Sequence, residues 1–297
     1  MIAIAAPVPP YPGYPLDPPF RSRFQARFID PLSSSVALSK QVAVAPPQTS
    51  SSTLLQKVRD IILSTQYASE SRHALETVSK FALPPFPQTA LLKLTQILST
   101  FPPPNQLSPT LLARLMLTLH PALVYAPFQA WALLSRQGEE AGLGALGGPF
   151  IQDSSGSECL GLLGYKVASI KRKDEHSAVV SFECDKNAAS VSAIVHAGPK
   201  PLRPFPLTPE TKFNPTARFV GLLTSALQAH ALGWDISVLP PAMPSTASTS
   251  TSTLIKVFGQ VLGYENEVVH LYKEIGGREL VMRRKVQEGG ATTWEPR

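Results

Sequence analysis

Two stretches of the sequence carry residue types suited to binding phosphate groups. The first is Phe20-Arg21-Ser22-Arg23-Phe24-Gln25-Ala26-Arg27, which follows a proline-rich loop. Arginine can hold phosphate oxygens through two parallel hydrogen bonds, and an arginine offered to a neighbour's γ-phosphate is a known catalytic device. Arg21 and Arg23 are therefore candidates for catalysis in trans. The alternative is an ordinary exposed basic edge.

The second stretch runs from Pro240 to Leu254 and leads from a short apolar segment into an apolar helix. A phosphate-binding loop at such a place needs glycines that wrap the phosphates, a lysine for their charge, and Ser or Thr for Mg²⁺. Aligned on Ser252, the sequence has Thr251 at the lysine position and Ser245 and Ser250 at glycine positions. Ser250, Thr251, Ser252 and Thr253 therefore form either a degenerate Walker A, with Ser252 as the Mg²⁺ ligand, or a Ser/Thr-rich surface loop.

Composition limits the class of protein. The chain has 297 residues, 43% of them hydrophobic, and a net charge of +6 from 27 Lys+Arg against 21 Asp+Glu. This apolar content excludes wholesale disorder, and the length predicts two or three structural units. No apolar run is long enough for a membrane span. The 30 prolines indicate short, interrupted elements.

Other polar groups carry weaker signals. Cys159 and Cys184 exclude a disulfide framework, and we expect free thiols. The six histidines have no metal-ligand spacing. Basic clusters at 171–173 and 283–285 lack interleaved aromatics, so we expect solvated turns and no nucleic-acid partner. Gly142, Gly144 and Gly147 match G-x-G-x-x-G, but they follow a helix and precede coil, which favours a linker.

Hydrophobic spacing divides the chain into a helical part and a mixed part. Helices are predicted over 53–66, 71–81, 88–100, 108–119 and 121–134, with Ser108 as N-cap and Pro109 in the first turn. Strands over 165–170, 178–183 and 190–195 predict a meander. A helix capped by Asn214-Pro215 and running to about Ala231 follows. A strand at 235–239, a helix at 253–262 and a strand at 267–272 then predict the start of a parallel sheet.

The order of these features resembles a known family. The strand at 2–6, the proline loop and Leu16 to Arg27 resemble the end of a dynein-related (midasin/MoxR-like) AAA+ ATPase core. The sequence resembles in particular the fungal form of the mitochondrial ATPases that carry a von Willebrand factor A domain. It implies that 2–6 is the sensor 1 strand and that Arg23 is the arginine finger, with Arg21 as the alternative. The usual sensor 2 arginine is Thr110 here, which leaves Arg114 for that role.

The resemblance also implies a domain organisation. Residues 1–31 would end a first AAA+ core, 53–136 would form the helical lid, and 137–157 would be a linker. Residues 158–203 would be a β insert, and 208–297 would begin a second core with a degenerate Walker A. The expected fold class is α/β fragments of tandem P-loop cores with an all-α lid and a small β insert. We therefore expect a fragment that lacks complete Walker A and Walker B motifs.

The expected function follows from the family. The intact protein would bind and hydrolyse ATP with Mg²⁺, in contact with neighbouring AAA+ modules or subunits of a hexameric ring, while this chain alone would be inactive. The resemblance implies a mitochondrial location; the chain shows no presequence of its own, and the cytoplasm is the alternative. A non-enzymatic adaptor that binds protein partners is the competing hypothesis.

Overall fold

The computed structural model describes residues 50–70, 83, 86–87, 89–104, 106–146, 160–184, 189–210, 213–238, 250–268, 282–286, 290 and 292–296. The predicted strand at 2–6, the arginines Arg21 and Arg23, and the predicted helix at 71–81 lie outside these residues.

The first half of the described chain is a helical bundle. Helices α1 (Ser50–Glu70), α2 (Ala90–Thr100) and α3 (Pro109–Leu119) confirm the predicted elements. The side chain of Ser108 caps α3 by accepting a hydrogen bond from the Leu111 amide at 3.4 Å, as the sequence predicts. Buried residues of α1 recur at helical spacing, namely Leu54, Leu55, Val58, Ile61 and Ile62.

The prediction of one helix over 121–134 is wrong. A short 3-10 helix spans Pro121–Tyr125, and a separate helix α4 spans Phe128–Glu140. The break lies at Ala126, whose backbone is extended (φ −71°, ψ 139°) because Pro127 follows it. Helix α4 also continues into the segment predicted as a linker, and Gly142 and Gly144 then turn the chain with positive φ.

The predicted meander is confirmed and its strands are longer than expected. β1 (Lys166–Asp174), β2 (Ser177–Cys184) and β3 (Ala189–His196) form an antiparallel sheet in the order β1-β2-β3. The cluster at 171–173 lies in β1 and is not a turn; the turn is Glu175-His176. Alternation along β2 buries Ala178, Val180, Phe182 and Cys184 on one face.

Two helices and a hairpin follow the sheet. Helix α5 (Ala217–Ala231) is capped by Thr216 rather than by Asn214, and helix α6 spans Ser250–Val261. Residues 235–238 form no strand, contrary to the prediction. Strands β4 (Met282–Val286) and β5 (Thr292–Pro296) pair in a second, antiparallel sheet that the sequence analysis missed. All strand pairs in the described residues are antiparallel, and the parallel sheet stays a prediction.

A continuous hydrophobic core joins the bundle, the three-stranded sheet, α5 and α6. Within this core the ring of Phe101 packs edge-on against the rings of Phe182 and Tyr165. The centroid of the Phe101 ring lies 5.2 Å from that of Phe182 and 5.4 Å from that of Tyr165. The Tyr165 hydroxyl donates a hydrogen bond to the Pro102 carbonyl at 2.8 Å, so its polar end is satisfied within the core. Among the described helices, none combines the length and hydropathy needed to cross a bilayer.

Candidate functional site

The end of the predicted phosphate-binding segment forms the first turn of α6. The helix begins at Ser250, so Ser250, Thr251, Ser252 and Thr253 form its first turn. The dipole of a helix favours an anion at this end. The side chain of Ser252 is exposed and that of Thr253 is half-buried. The backbone arrangement therefore suits an anion in general terms.

The side chains of this turn do not supply the remaining phosphate chemistry. No glycine occurs between Pro240 and Thr253, and the first lysine of α6 is Lys256, which is exposed one turn beyond Ser252. A loop without glycine cannot bring its backbone close around two phosphates, and Thr251 carries no charge to balance them. The donor set of this turn thus does not fit a Mg²⁺-bound nucleoside triphosphate.

The other end of α6 is held by the segment that follows β3. The amide of Gly198 donates to the Leu262 carbonyl at 2.9 Å, and that of Lys200 donates to the Gly263 carbonyl at 3.0 Å. A Cβ atom on Gly198 would lie 2.2 Å from the Gly263 oxygen, so only glycine permits this approach. Arg172 reinforces the junction by donating to the Gly198 carbonyl at 2.7 Å. The helix is thereby tied to the sheet.

A polar cluster of His196, His230 and Tyr264 lies at the same contact between the end of α6 and the sheet. The Tyr264 hydroxyl lies 2.8 Å from the His196 carbonyl, 2.9 Å from His196 Nδ1 and 3.2 Å from His230 Nε2. His230 Nε2 also lies 3.0 Å from the His196 carbonyl. Burial raises the pKa of the Tyr264 phenol. Because these residues lie at the ends of β3, α5 and α6, the cluster fastens three elements together.

The cluster has no metal-binding geometry. No group of three or more His, Cys, Asp or Glu side chains within the described ranges could hold a metal ion. Sequence spacing missed the cluster because its members are 34 and 68 residues apart. The cluster therefore consists of hydrogen bonds that hold β3, α5 and the end of α6 together.

Arg114, the candidate for sensor 2, contacts the chain that enters the sheet. It lies on α3, is half-buried, and donates through Nη1 to the carbonyl of Leu160. This bond fixes the segment that leads into the 3-10 helix Leu162–Gly164. The arginine thus positions the connection between bundle and sheet, and its nucleotide role stays a prediction.

Gln228 makes a second link at this connection that the sequence analysis did not identify. Its side chain is fully buried on α5, its Oε1 accepts from the Leu162 amide at 2.6 Å, and its Nε2 donates to the Leu162 carbonyl at 3.2 Å. A Cβ on Gly161 would meet Gln228 Oε1 at 2.4 Å, so the backbone must come this close. The entry to the sheet is therefore clamped between α3 and α5.

The bundle carries an exposed apolar surface at the break before α4. Tyr125 is 64% exposed and Phe128 is 83% exposed, on either side of Pro127. Large exposed aromatics are typical of protein interfaces, because rigid rings bury much area at little entropic cost. This surface suits a protein partner.

Comparison with known proteins gives a distant match. Over 99% of this chain, the sequence is 28% identical to von Willebrand factor A domain-containing protein 8 of the mouse. The chain spans 14% of the length of that protein. No protein-family profile matches the chain. No solved structure matches it either. The similarity supports a distant relationship to von Willebrand factor A domain-containing protein 8 along almost the entire chain.

Proposed function

We propose that this chain is a non-hydrolysing part of a dynein-related AAA+ ATPase of the kind that carries a von Willebrand factor A domain, most like its fungal form. The observation that carries the proposal is the similarity over 99% of the chain to the mouse protein of that name. The collinear order of arginine motif, helical bundle, three-stranded sheet and α6 agrees with the same family. The chain supplies a rigid scaffold, and the nucleotide is hydrolysed elsewhere in the assembly.

The first turn of α6 supports the absence of hydrolysis by this chain alone. It begins a helix but has neither the lysine nor the glycines of a working loop. Nucleotide affinity at Ser250 to Thr253 should therefore be weak, and Ser252 alone should not retain Mg²⁺. ATP and Mg²⁺ are cofactors of the intact ATPase in this proposal.

Arg23, with Arg21 as the alternative, acts on a neighbouring module. A guanidinium placed against the γ-phosphate of a neighbour stabilises the charge that develops during phosphoryl transfer. This role requires contact with adjacent AAA+ modules or subunits, which form a hexameric ring in the family. Mitochondria are the proposed location, and colocalisation of the tagged chain with a mitochondrial marker tests it.

The exposed pair Tyr125 and Phe128 favours a second candidate, a non-enzymatic adaptor that binds other proteins through its helical bundle. An adaptor would not need Arg23. Substitution of Arg23 by alanine in an assembly with the active modules distinguishes the two, because only the ATPase role makes turnover depend on that side chain.

The test of inactivity is phosphate release by the purified chain with ATP and Mg²⁺. We expect no turnover above buffer and weak nucleotide binding, and the matched variant Ser252→Ala should leave both unchanged. Tight, magnesium-dependent binding that Ser252→Ala abolishes would contradict the alignment of 245–252. Turnover that Arg23→Ala abolishes would contradict the claim of inactivity.

A further inference from the structure

The two edges of the three-stranded sheet differ in how they are protected. Pairing of β1 with β2 shifts register twice, between Val167 and Ser169 and between Arg172 and Asp174. β1 also carries four basic residues and one acidic residue. Bulges and charges of this kind prevent a sheet edge from pairing with another strand. The edge formed by β1 is therefore blocked.

The edge formed by β3 has neither register shifts nor Lys, Arg, Asp or Glu side chains. Its pairing with β2 runs without a shift from Cys184↔Ala189 to Ser177↔His196. The strand, Ala-Ser-Val-Ser-Ala-Ile-Val-His, contains no Lys, Arg, Asp, Glu or Pro. Within the described ranges β3 pairs with β2 alone. An uncharged edge of this length without a bulge is a template for a further strand.

The alternating hydrogen bonds between β2 and β3 show which backbone groups of β3 are left for a partner strand. The amide of Ala197 donates to the His176 carbonyl at 2.8 Å, so residues 191, 193 and 195 also bond to β2. The N–H and C=O groups of Ser190, Ser192 and Ile194 consequently point away from β2. The His196 carbonyl, next in this series, accepts from Tyr264 and thus confirms the direction. Three consecutive outward positions remain for a partner strand.

Exposure of the side chains agrees with an open edge. Ser190 and Ser192 are exposed, and Ile194 is 61% exposed. On the face turned to the core, Val191 and Ala193 are only half-buried although they pack against the core cluster. A strand added beside β3 would cover both of them.

We propose that β3 pairs antiparallel with β3 of a second copy of this chain, about a two-fold axis at Ser192. In this register Ser192 lies opposite Ser192 of the second copy, and Ser190 lies opposite Ile194. These are the outward-pointing residues, so each pair exchanges two backbone hydrogen bonds. Val191 then lies beside Ala193 of the second copy and extends the buried face across the axis.

The charge pattern selects a second copy as the occupant. Two-fold pairing places the residue on the axis opposite the same residue of the second copy, so a charge there would face a like charge and destabilise the sheet. β3 is uncharged, so self-pairing has no such penalty, whereas the charged β1 would repel itself. The bonds from Tyr264 and His230 to the His196 carbonyl end the available ladder at that residue. The result is a continuous sheet of two copies with the blocked β1 strands outermost.

Light scattering of the purified chain at several concentrations tests the proposal. We expect a reversible dimer, and Ser192→Lys should raise its dissociation constant by about tenfold or more because it sets two like charges opposite each other. Ser169→Lys, on the blocked strand β1, is the matched control and should leave the constant unchanged. Thermal unfolding of both variants checks that the monomer fold persists.

A cross-linking experiment tests the register and does not depend on the charge variant. Cα atoms of a hydrogen-bonded antiparallel pair are about 5.5 Å apart, within disulfide range. Ser192→Cys should therefore form a disulfide-linked dimer on mild oxidation, and Ser190→Cys should form much less, since its counterpart is Ile194. A chain that stays monomeric at every concentration overturns the proposal. So does a dimer that Ser192→Lys leaves unchanged, or a heterologous peptide that pairs with β3 in place of a second copy.

Discussion

Replacement of Gln228 by leucine should reveal how strongly α5 holds the entry to the sheet. The glutamine side chain is fully buried and bonds both backbone groups of Leu162, at 2.6 Å and 3.2 Å. Leucine has a similar volume but no hydrogen-bonding atoms. The change therefore removes two hydrogen bonds with little loss of packing.

The size of the stability loss follows from the Leu162 N–H and C=O groups, which would lose their hydrogen-bond partners. Leu162 is only 5% exposed, so water cannot readily replace the lost partners of its N–H and C=O. Each buried, unpaired backbone group costs about 1–3 kcal/mol. The gain from burying an apolar side chain offsets part of this, so the expected net loss is about 2–4 kcal/mol of unfolding free energy.

Urea unfolding followed by circular dichroism and by tryptophan fluorescence measures this loss. We expect a lower midpoint with an unchanged slope, because the surface exposed on unfolding stays the same. Gln129→Leu is the control, since Gln129 is exposed on α4 and its replacement should change stability by no more than about 0.5 kcal/mol. A loss below about 1 kcal/mol for Gln228→Leu would refute the reasoning, because the clamp would then contribute no more than an average hydrogen bond.

Three further predictions concern the neighbouring contacts. Arg114→Ala should lower stability by about 1.5–3 kcal/mol in the same urea assay, because it removes a charged donor from the Leu160 carbonyl. Arg136→Ala, at an exposed position, is the control and should have little effect. Gly198→Ala should lower the midpoint of thermal unfolding by several degrees, since the added Cβ would meet backbone atoms at 2.2 and 2.6 Å; an unchanged midpoint would contradict the close packing. Burial raises the pKa of Tyr264, so the stability it contributes is fully present below the ordinary tyrosine pKa and is lost as pH rises through the higher folded value. In a spectrophotometric titration, Tyr264→Phe should remove a tyrosine that ionises late in the unsubstituted chain.

Local signals in the sequence predicted several elements well. Ser108 followed by Pro109 marks the start of α3, because cap and first-turn proline act on adjacent residues. The meander was also predictable, since alternation along β2 is uninterrupted. The break at Ala126 could have been inferred from Pro127, which restricts the residue before it.

Other features depend on residues far apart in the chain. The clamp from Gln228 to Leu162 spans 66 residues, and the bond from Tyr264 to His196 spans 68. No local pattern marks such partners. The basic cluster at 283–285 was predicted as a solvated turn, but it lies in β4, where Lys285 forms an ion pair with Glu295 at 2.9 Å across the hairpin. Charged residues mask strand alternation when neither face is deeply buried.

The helix that carries the candidate site was predictable from the sequence, but its surroundings were not. Ser250 to Thr253 do form the first turn of a helix, as a phosphate-binding alignment requires. The fastening of the opposite helix end through Gly198 and Tyr264 depends on tertiary contacts that spacing does not encode.

Phosphate release by the purified chain, with ATP and Mg²⁺ in excess, distinguishes a non-hydrolysing scaffold from a working ATPase. We expect no turnover, because the first turn of α6 has Thr251 where a lysine is needed and lacks glycine. Turnover that requires Mg²⁺ and disappears in Arg23→Ala would contradict this expectation.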